Sequence, residues 1–269
     1  MLRNALSVSD QDSHALSCAH KTLEERSSVA VMLPTYCEAG NIESLIREIK
    51  DMIHDSLIIV IDDSSYDGTA KIVEKLQEEY SNLLICERPA KMGLGTAITD
   101  GFRIIMSLES PPDHIITMDA DYSHNPRTIP KLLATAKEGY ELVIGSRYTE
   151  GSGTVGWHIL RRLISRIANF VASTMVGMKI RDCTSGFRCY SKNYVENVIG
   201  YLHSQTYEIQ IETVKQAWVR GYAVKEIPIT FSARKRGKSK LTKKEIVDFL
   251  SFIIKSKFRM SRRKSLSCE

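Results

Sequence analysis

Short apolar runs alternate with stretches of helical periodicity over the first half of the chain. The runs at 29–33, 57–61, 83–86, 114–118 and 141–145 are rich in Val, Ile and Leu, which is typical of strands buried on both faces of a parallel sheet. Between them, apolar residues recur at helical spacing over 42–53, 69–80, 96–108 and 126–138. This alternation predicts a doubly wound α/β fold with a mostly parallel sheet.

Two residues predict where helices begin. Asn41 precedes the first apolar helical stripe and is a residue type that accepts hydrogen bonds at the N-cap. Pro126 is suited to the first turn of a helix, where no amide hydrogen is needed. We therefore predict that Asn41 caps the first helix and that a later helix starts at Pro126.

The pattern changes after residue 151. A long helical stretch at 157–178 places Arg161, Arg162 and Arg166 among large apolar side chains, and a basic amphipathic helix of this kind can lie at a membrane surface. Further elements are predicted as a helix at 207–220, a strand at 223–231 and an amphipathic helix at 243–258. The prediction is therefore one domain over 29–258, with membrane-facing helices and a basic tail at 259–269.

The first 28 residues are polar and contain no apolar block, so they predict a disordered segment rather than a signal peptide. The longest dense apolar stretch, 246–254, is far shorter than the roughly 20 residues that a spanning helix needs. We therefore expect a protein that faces the cytosol and does not cross a bilayer on its own. Six cysteines without zinc-site spacing are expected to be reduced and mostly packed.

Charge is distributed unevenly between the two halves of the 269 residues. The net charge is +5, but residues 1–150 hold 14 basic and 24 acidic side chains (−10), whereas residues 151–269 hold 23 basic and 8 acidic ones (+15). This asymmetry indicates acids that can hold a metal in the first half, and a basic surface for a polyanion or an anionic membrane in the second.

Acidic residues follow two of the predicted strands, at the sheet edge where ligands bind in open α/β folds. Asp119 and Asp121 come directly after the fourth strand, and their spacing points both carboxylates the same way. Such a pair suits Mg²⁺ or Mn²⁺ bridging to a diphosphate, although strands also end in solvated acids. Asp63 ends the second strand and can accept from a base or ribose hydroxyl, whereas Asp67 is typical of helix capping.

The glycines at 93 and 95 leave two interpretations open: they close a turn, or they let the backbone approach a phosphate. The chain lacks both the dinucleotide fingerprint and the Walker lysine motif, which argues against a nicotinamide dehydrogenase and a kinase. Candidate phosphate-binding cations are Arg147, Arg161, Arg162, Arg234 and Lys240. Aromatic residues make up 7% of the chain and are not interleaved with the basic run, so nucleic acid is disfavoured as a partner.

Several short segments, taken in their order along the chain, resemble the motifs of a known enzyme family, although no single segment is specific for it. The segments are 33–38 (LPTYCE), 60–63 (VIDD), 93–97 (GLGTA), 118–121 (MDAD), 145–148 (GSRY), 161–165 (RRLIS), 184–188 (TSGFR), 226–228 (EIP) and 234–241 (RKRGKSKL). Together they resemble the GT-A glycosyltransferases of family 2, and within that family the catalytic subunits of dolichol-phosphate mannosyltransferases that have no transmembrane helices.

The resemblance implies a GT-A fold with a C-terminal amphipathic helical region, and an activity. That activity is transfer of mannose from GDP-mannose to dolichyl phosphate, with inversion, on the cytosolic face of the endoplasmic reticulum membrane. The product would be dolichyl β-D-mannosyl phosphate, the lipid-linked mannose donor for N-glycosylation, O-mannosylation and GPI-anchor synthesis. The resemblance also implies small membrane-anchoring subunits, for which we expect 246–254, with Phe258, to be the docking segment. The alternative interpretation is an ordinary amphipathic helix that closes the catalytic domain.

Functional roles follow from the resemblance by position. The residues expected to bind the donor are Pro34, Tyr36, Glu38, Ile61, Asp63, Asp119, Ala120, Asp121, Arg147, Arg234 and Lys240. Asp121 is expected to be the principal metal ligand, with Asp119 beside it. The residues expected to act in catalysis are Asp121, Arg147 and Arg161, the last near the lipid phosphate. One departure from the family pattern is Cys37, which stands where Asn is usual.

The implied acceptor explains why no general base stands out. A phosphomonoester is already anionic near neutral pH and can attack the anomeric carbon directly, so the enzyme needs to position two phosphates and stabilise the departing diphosphate. Glu208 and Glu212 are the candidates for a base, but their place on a helical pattern favours a structural role. The alternatives are a dolichyl-phosphate glucosyltransferase or another family 2 enzyme using a UDP-sugar, and a non-catalytic nucleotide-binding module recruited to membranes.

Overall fold

The structure is a computed structural model that describes residues 27–177 and 179–234. The strands are β1 (Val29–Thr35), β2 (Leu57–Asp62), β3 (Leu83–Glu87), β4 (His114–Thr117), β5 (Leu142–Ser146), β6 (Gly153–Val155), β7 (Arg188–Ser191), β8 (Val224–Pro228) and β9 (Thr230–Ser232). The α-helices are α1 (Ile42–Met52), α2 (Thr69–Leu76), α3 (Leu94–Met106), α4 (Ile129–Ala136), α5 (Ile159–Val176), α6 (Lys192–Val198) and α7 (Ile209–Val219).

Seven strands form one sheet in the order β3-β2-β1-β4-β7-β5-β8. All neighbouring strands are parallel except around β7, which runs antiparallel to both β4 and β5. The prediction of a mostly parallel α/β sheet is confirmed. The carboxyl ends of the parallel strands therefore meet at one edge, where the β4 residue Thr117 pairs with Arg188, the first residue of β7.

Helices cover both faces of this sheet because its strands are apolar on both sides. One core packs α1, α2 and α4 against the sheet, with Leu45, Val73 and Leu132 among its buried residues. The other packs α3, α5, α6 and α7 around residues such as Phe102 and Tyr190, whose rings meet edge to face at 5.2 Å. The two cores hold the ligand-binding edge of the sheet on a rigid base.

Three local predictions are wrong. Cys86 is disulfide-bonded, whereas the cysteine spacing predicts reduced thiols. Asn41 does not cap α1 with its side chain; its Nδ2 instead donates to Glu38 Oε2 at 2.9 Å, so the amide stabilises the preceding loop. The strand predicted at 223–231 is two strands, since Ile229 separates β8, in the main sheet, from β9, which pairs with β6 in a separate small sheet. At Pro126 the chain forms a short 3₁₀ turn that leads into α4.

The predicted basic amphipathic helix is present as α5 and carries an unusual surface. Its large apolar side chains that face solvent are Ile159, Leu160, Leu163, Ile164, Ile167 and Phe170, each 53–83% exposed. Among the described residues, no helix has the length and apolar character needed to span a bilayer. The N-terminal segment, the helix predicted at 243–258, the docking segment 246–254 and the basic tail lie outside the described residues, apart from residues 27 and 28.

Candidate active site

A cleft opens at the carboxyl ends of β1, β2 and β4. Its volume is about 730 Å³, including space open to solvent. The lining residues are Pro34, Thr35, Tyr36, Glu38, Asp63, Lys91, Gly93, Leu94, Ala97, Asp119, Ala120, Asp121, Tyr207 and Arg234. Eight of the eleven predicted donor-binding residues therefore meet in one cleft, although they come from four separate segments of the chain.

The loop after β1 is shaped by Asp62, a residue that the sequence analysis does not assign to the site. Its Oδ1 accepts from Thr35 Oγ1 at 2.7 Å and from Ser65 Oγ at 2.6 Å, and its Oδ2 accepts from the Ser65 amide at 2.8 Å. The Cys37 amide in turn donates to Ser65 Oγ at 2.7 Å. Because Cys37 has a left-handed backbone (φ 55°), this network stabilises a strained loop beside the cleft.

Asp63 lines the cleft and also holds the loop that follows β3. Its carboxylate contacts Arg88 Nη2, and its Oδ2 accepts from the Gly93 amide at 3.1 Å. Burial raises the pKa of Asp63, against the opposing attraction of Arg88. Asp63 therefore faces the cleft and also positions the loop around Gly93, which forms part of the cleft wall. Asp67 lies one residue before Gly68, the N-cap of α2, and its Oδ1 accepts from the Thr69 amide at 3.1 Å, so it stabilises the turn that leads into the helix.

The glycines at 93 and 95 permit a close backbone contact. A Cβ at Gly95 would lie 2.1 Å from the carbonyl oxygen of Ser204, and one at Gly93 would lie 2.5 Å from that of Gln205. The Gly95 amide donates to the Gln205 carbonyl at 2.9 Å, so this amide at the start of α3 already has a protein partner. Of the two interpretations left open by the sequence, the structural one is favoured.

Asp119 and Asp121 lie at the floor of the cleft, held by the turn that follows β4. Asp121 Oδ1 accepts from the Ser123 amide at 2.9 Å, and its Oδ2 lies 2.6 Å from Arg234 Nε. The Asp119 amide donates to Nδ1 of the buried His124 at 3.1 Å, which therefore acts as an acceptor. Burial raises the pKa of Asp119, and the neighbouring Asp121 carboxylate adds to that shift.

The two aspartates are a donor set that fits a hard divalent cation. Carboxylate oxygens are the ligands that Mg²⁺ and Mn²⁺ prefer, and Mg²⁺ typically takes only one or two of them together with water and substrate phosphates. Across the described ranges, no group of three or more His, Cys, Asp or Glu side chains converges on one point. The remaining ligands would therefore come from a bound diphosphate and water.

Arg147 and Arg161 lie beside the cleft rather than in its lining. The Arg147 guanidinium forms two hydrogen bonds to the buried Asp182. The Cζ atom of Arg147 lies 5.6 Å from the centre of the Trp157 ring. The Arg161 guanidinium stacks over the same ring at 4.2 Å. Partial burial lowers the pKa of Arg161, and repulsion from Arg147 and Arg234 adds to this effect. Three arginines thus act on one another electrostatically next to Asp121.

Not every predicted site residue reaches the cleft. Ile61 is fully buried in the sheet core, where its carbonyl accepts from Thr35 Oγ1 at 3.4 Å, so its side chain does not line the cleft. Lys240 lies outside the described residues. Glu212 accepts from the His203 and Ser204 amides at 3.0 and 2.9 Å, in agreement with its predicted structural role.

Lys91 and Tyr207 line the cleft although the sequence analysis assigns them no role. The Lys91 ammonium lies 4.6 Å from the centre of the Tyr36 ring, a distance typical of a cation–π contact. The position of Lys91 just after β3 is a signal that could have identified it. No local pattern marks Tyr207, which reaches the cleft from the segment that leads into α7.

A mostly parallel sheet with an acidic pair and clustered arginines at its ligand-binding edge defines a glycosyltransferase of the GT-A architecture. The chain belongs to glycosyl transferase family 2, whose family model matches residues 30–199.

Two curated relatives match most of the chain. The chain is 32% identical over 215 residues to the undecaprenyl-phosphate mannosyltransferase of Micrococcus luteus, and the match covers 80% of this chain and 87% of the relative. It is also 32% identical over 223 residues to the polyprenol monophosphomannose synthase of Mycolicibacterium smegmatis, covering 82% and 83% of the two chains.

Solved structures support the fold. Glucosyl-3-phosphoglycerate synthase from Mycobacterium tuberculosis, in complex with Mn²⁺, UDP-glucose and phosphoglyceric acid, superimposes with a TM-score of 0.61 at 18% identity. The match covers 95% of this chain and 84% of that one. The complex of the same enzyme with Mn²⁺, UDP and glucosyl-3-phosphoglycerate gives a TM-score of 0.60 at 18% identity, with the same coverage.

Proposed function

We propose that this glycosyltransferase transfers mannose from GDP-mannose to a polyprenyl phosphate, specifically dolichyl phosphate, on the cytosolic face of the endoplasmic reticulum membrane. The observation that carries the proposal is the convergence of Asp119, Asp121 and Arg234 in a cleft that Tyr36 and Asp63 also line. The two curated relatives, which are named for mannose and polyprenyl phosphates, support the choice of sugar and of a polyprenyl phosphate as acceptor, whereas GDP, dolichol and the endoplasmic reticulum are inferred from the resemblance alone.

The donor would lie across the cleft from the ends of β1 and β2 to the end of β4. Tyr36 and Asp63 would contact the nucleoside, and Asp121, with Asp119, would hold Mg²⁺ or Mn²⁺ against the diphosphate. The bound metal would neutralise charge on the leaving diphosphate. Arg234 and Arg147 would add donors to the phosphate oxygens, with the planar fork that matches them.

The acidic residues of the cleft support an acceptor that needs no deprotonation. Glu38 is paired with the Asn41 amide, Asp63 with Arg88, and Asp121 with Arg234. Three of the four acidic side chains that line the cleft are thus engaged with protein donors. A phosphate acceptor is its own nucleophile, since it is already anionic, and it needs only to be oriented in line with the departing diphosphate.

The exposed face of α5 supports a lipid acceptor. Six large apolar side chains project from this helix, and Arg162 and Arg166 accompany them on its exposed surface. An apolar stripe with basic residues is the pattern of a helix that lies in the interface of an anionic membrane. Near its start, α5 carries Arg161, which acts electrostatically on Asp121. The helix would thus bring the lipid phosphate to the cleft.

A transfer assay tests the proposal. The full-length protein is incubated with Mn²⁺ and a polyprenyl phosphate, and with labelled GDP-mannose or labelled UDP-glucose, and lipid-soluble label is measured after extraction. We expect mannolipid from GDP-mannose and little product from UDP-glucose. Product from UDP-glucose alone would instead establish a glucosyltransferase, and binding of nucleotide without any product would favour the non-catalytic module.

The metal site is tested in the same assay with Asp121→Ala, for which we expect at least a hundredfold lower rate, since the principal ligand is removed. Asp55→Ala is the matched control, because Asp55 is an acid whose side chain is 86% exposed and does not line the cleft. An undiminished rate in Asp121→Ala would refute the metal site.

The small membrane-anchoring subunits remain a prediction, tested by vesicle flotation with and without them.

A further inference from the structure

Arg147 is held by one buried carboxylate in an unusually complete way. Its Nε lies 2.7 Å from Asp182 Oδ2, its Nη2 lies 2.6 Å from Oδ1, and its own backbone amide donates to Oδ2 at 2.9 Å. Thr184 Oγ1 accepts a further hydrogen bond from Nη2 at 2.6 Å. Asp182 therefore fixes the backbone of Arg147, the plane of its guanidinium and the rotation of its side chain at once.

Asp182 is itself held by a second layer. Its amide donates to Glu226 Oε1 at 2.9 Å, and the Arg181 amide donates to Oε2 of the same glutamate at 2.9 Å. Asn169 on α5 closes the other side: its Oδ1 accepts from the Thr184 amide at 3.1 Å, and its Nδ2 donates to Thr184 Oγ1 at 3.0 Å. The backbone of Asp182 and the neighbouring Thr184 are thus both held by side chains from other elements.

The pair remains ionised although it is buried. Burial alone would raise the pKa of Asp182, but Arg147 outweighs it and the pKa is lowered. Burial alone would lower the pKa of Arg147, but Asp182 outweighs it and the pKa is raised. The Arg147 guanidinium also acts on Asp119 at the cleft floor. Within the described ranges Nη1 makes no hydrogen bond to protein, so it is the guanidinium nitrogen without a protein partner.

We propose that Asp182 is a positioning residue for the transfer reaction: it presents the Nη1 edge of Arg147 to the phosphates, with Thr184 completing the grip. The proposal rests on the function proposed above, in which Arg147 stabilises the phosphates during transfer. A guanidinium that is fixed in advance needs no reorganisation as charge develops on the leaving diphosphate. Loss of Asp182 should therefore lower kcat more than it raises KM for the nucleotide sugar.

The test is a double-mutant cycle in the mannolipid assay, with rates normalised to folded protein. The variants are Asp182→Asn, Arg147→Gln and their combination. We expect Asp182→Asn to lower kcat at least tenfold with less than a threefold change in KM for GDP-mannose. We expect the double variant to match Arg147→Gln within about twofold, because Asp182 acts through Arg147. Losses that multiply in the double variant would overturn the proposal.

Thr184 provides a second test that keeps the ion pair, in case Asp182→Asn does not fold. Thr184→Val removes the acceptor of Nη2 and should lower kcat severalfold, whereas Thr184→Ser keeps the hydroxyl and should retain the wild-type rate. Equal rates for the two would overturn the proposal. The failures are distinguishable: a wild-type protein that makes no mannolipid refutes the proposed function, whereas an inactive Arg147→Gln beside a fully active Asp182→Asn refutes the positioning role alone.

Discussion

The Nε of Arg234 lies 2.6 Å from Oδ2 of Asp121, so the carboxylate predicted to be the principal metal ligand is already paired with a cation of the protein itself. Because Asp121 is buried, this pairing offsets the cost of an isolated charge at the cleft floor. A divalent cation that binds Asp121 without nucleotide competes with the guanidinium for this carboxylate.

This competition predicts a gain of metal affinity in Arg234→Gln. We expect Mn²⁺ to bind the nucleotide-free variant about tenfold more tightly than the wild type, which corresponds to about 1.4 kcal/mol, while the transfer rate falls because a phosphate contact is lost. Titration of free Mn²⁺ by electron paramagnetic resonance measures the affinity. Arg162→Gln, an exposed arginine on α5, is the control and should leave it unchanged. Equal affinity in Arg234→Gln and wild type would contradict the prediction.

The apolar face of α5 predicts binding to anionic vesicles through named side chains. Replacing Leu163 and Ile167 with Asp places two charges in the stripe, and we expect at least tenfold weaker partitioning into vesicles that contain anionic lipid. Turnover of a short, water-soluble acceptor should be preserved. Vesicle sedimentation measures the binding, with Val219→Asp as the control, since Val219 is 66% exposed on α7. Unchanged partitioning would show that another surface meets the membrane.

The close contact at the start of α3 predicts a penalty for Gly95→Ala. The added Cβ would meet the Ser204 carbonyl at 2.1 Å, and relieving such overpacking costs about 1–3 kcal/mol of stability. Thermal or urea unfolding measures the loss. At Gly200 a Cβ meets nothing within 4 Å and the backbone is not left-handed, so Gly200→Ala should be nearly neutral. Equal stability of the two variants would be the contrary result.

Buried thiols predict a pattern of chemical labelling. Burial raises the pKa of Cys183 and of Cys189 to about 12, and only the thiolate reacts with disulfide reagents. Because folding raises these pKa values and so favours the neutral thiol, both thiols stay protonated from pH 7 to pH 9. In the native state, the double variant Cys183→Ser, Cys189→Ser should therefore show the same number of reactive thiols as the wild type. Under denaturing conditions it should show two fewer than the wild type. A native titre that drops by one or two would contradict this.

Much of the sheet is readable from the sequence because its strands are buried on both faces. The run at 57–61 is wholly apolar and becomes β2, and β1, β3, β4 and β5 follow the same logic. The residues after these runs then lie at one edge by geometry alone, which is why Tyr36, Asp63 and Asp121 meet in one cleft.

What the sequence does not reveal is the choice of distant partners. The strand β7 is only four residues long and begins at Arg188, a charged residue that is fully buried because it donates to the carbonyls of Cys183, Ser185 and Gln210. The pairing of Arg147 with Asp182 joins residues 35 positions apart. Neither has a local signature, since an acid that holds a buried arginine looks in sequence like any solvated acid.

The reversed strand β7 also imposes an order of events on the newly made chain. The strands β4 and β5 follow each other in sequence but are not neighbours in the sheet, since β7, which begins some 40 residues after β5 ends, lies between them. Until residue 191 has left the ribosome, one edge of β4 stays unpaired. During this time β5 cannot be added to the sheet that the strands β1, β2, β3 and β4 form. An open strand edge can pair with other chains. The edge of β4 is therefore open to pairing with other chains in the interval between synthesis of β4 and synthesis of β7.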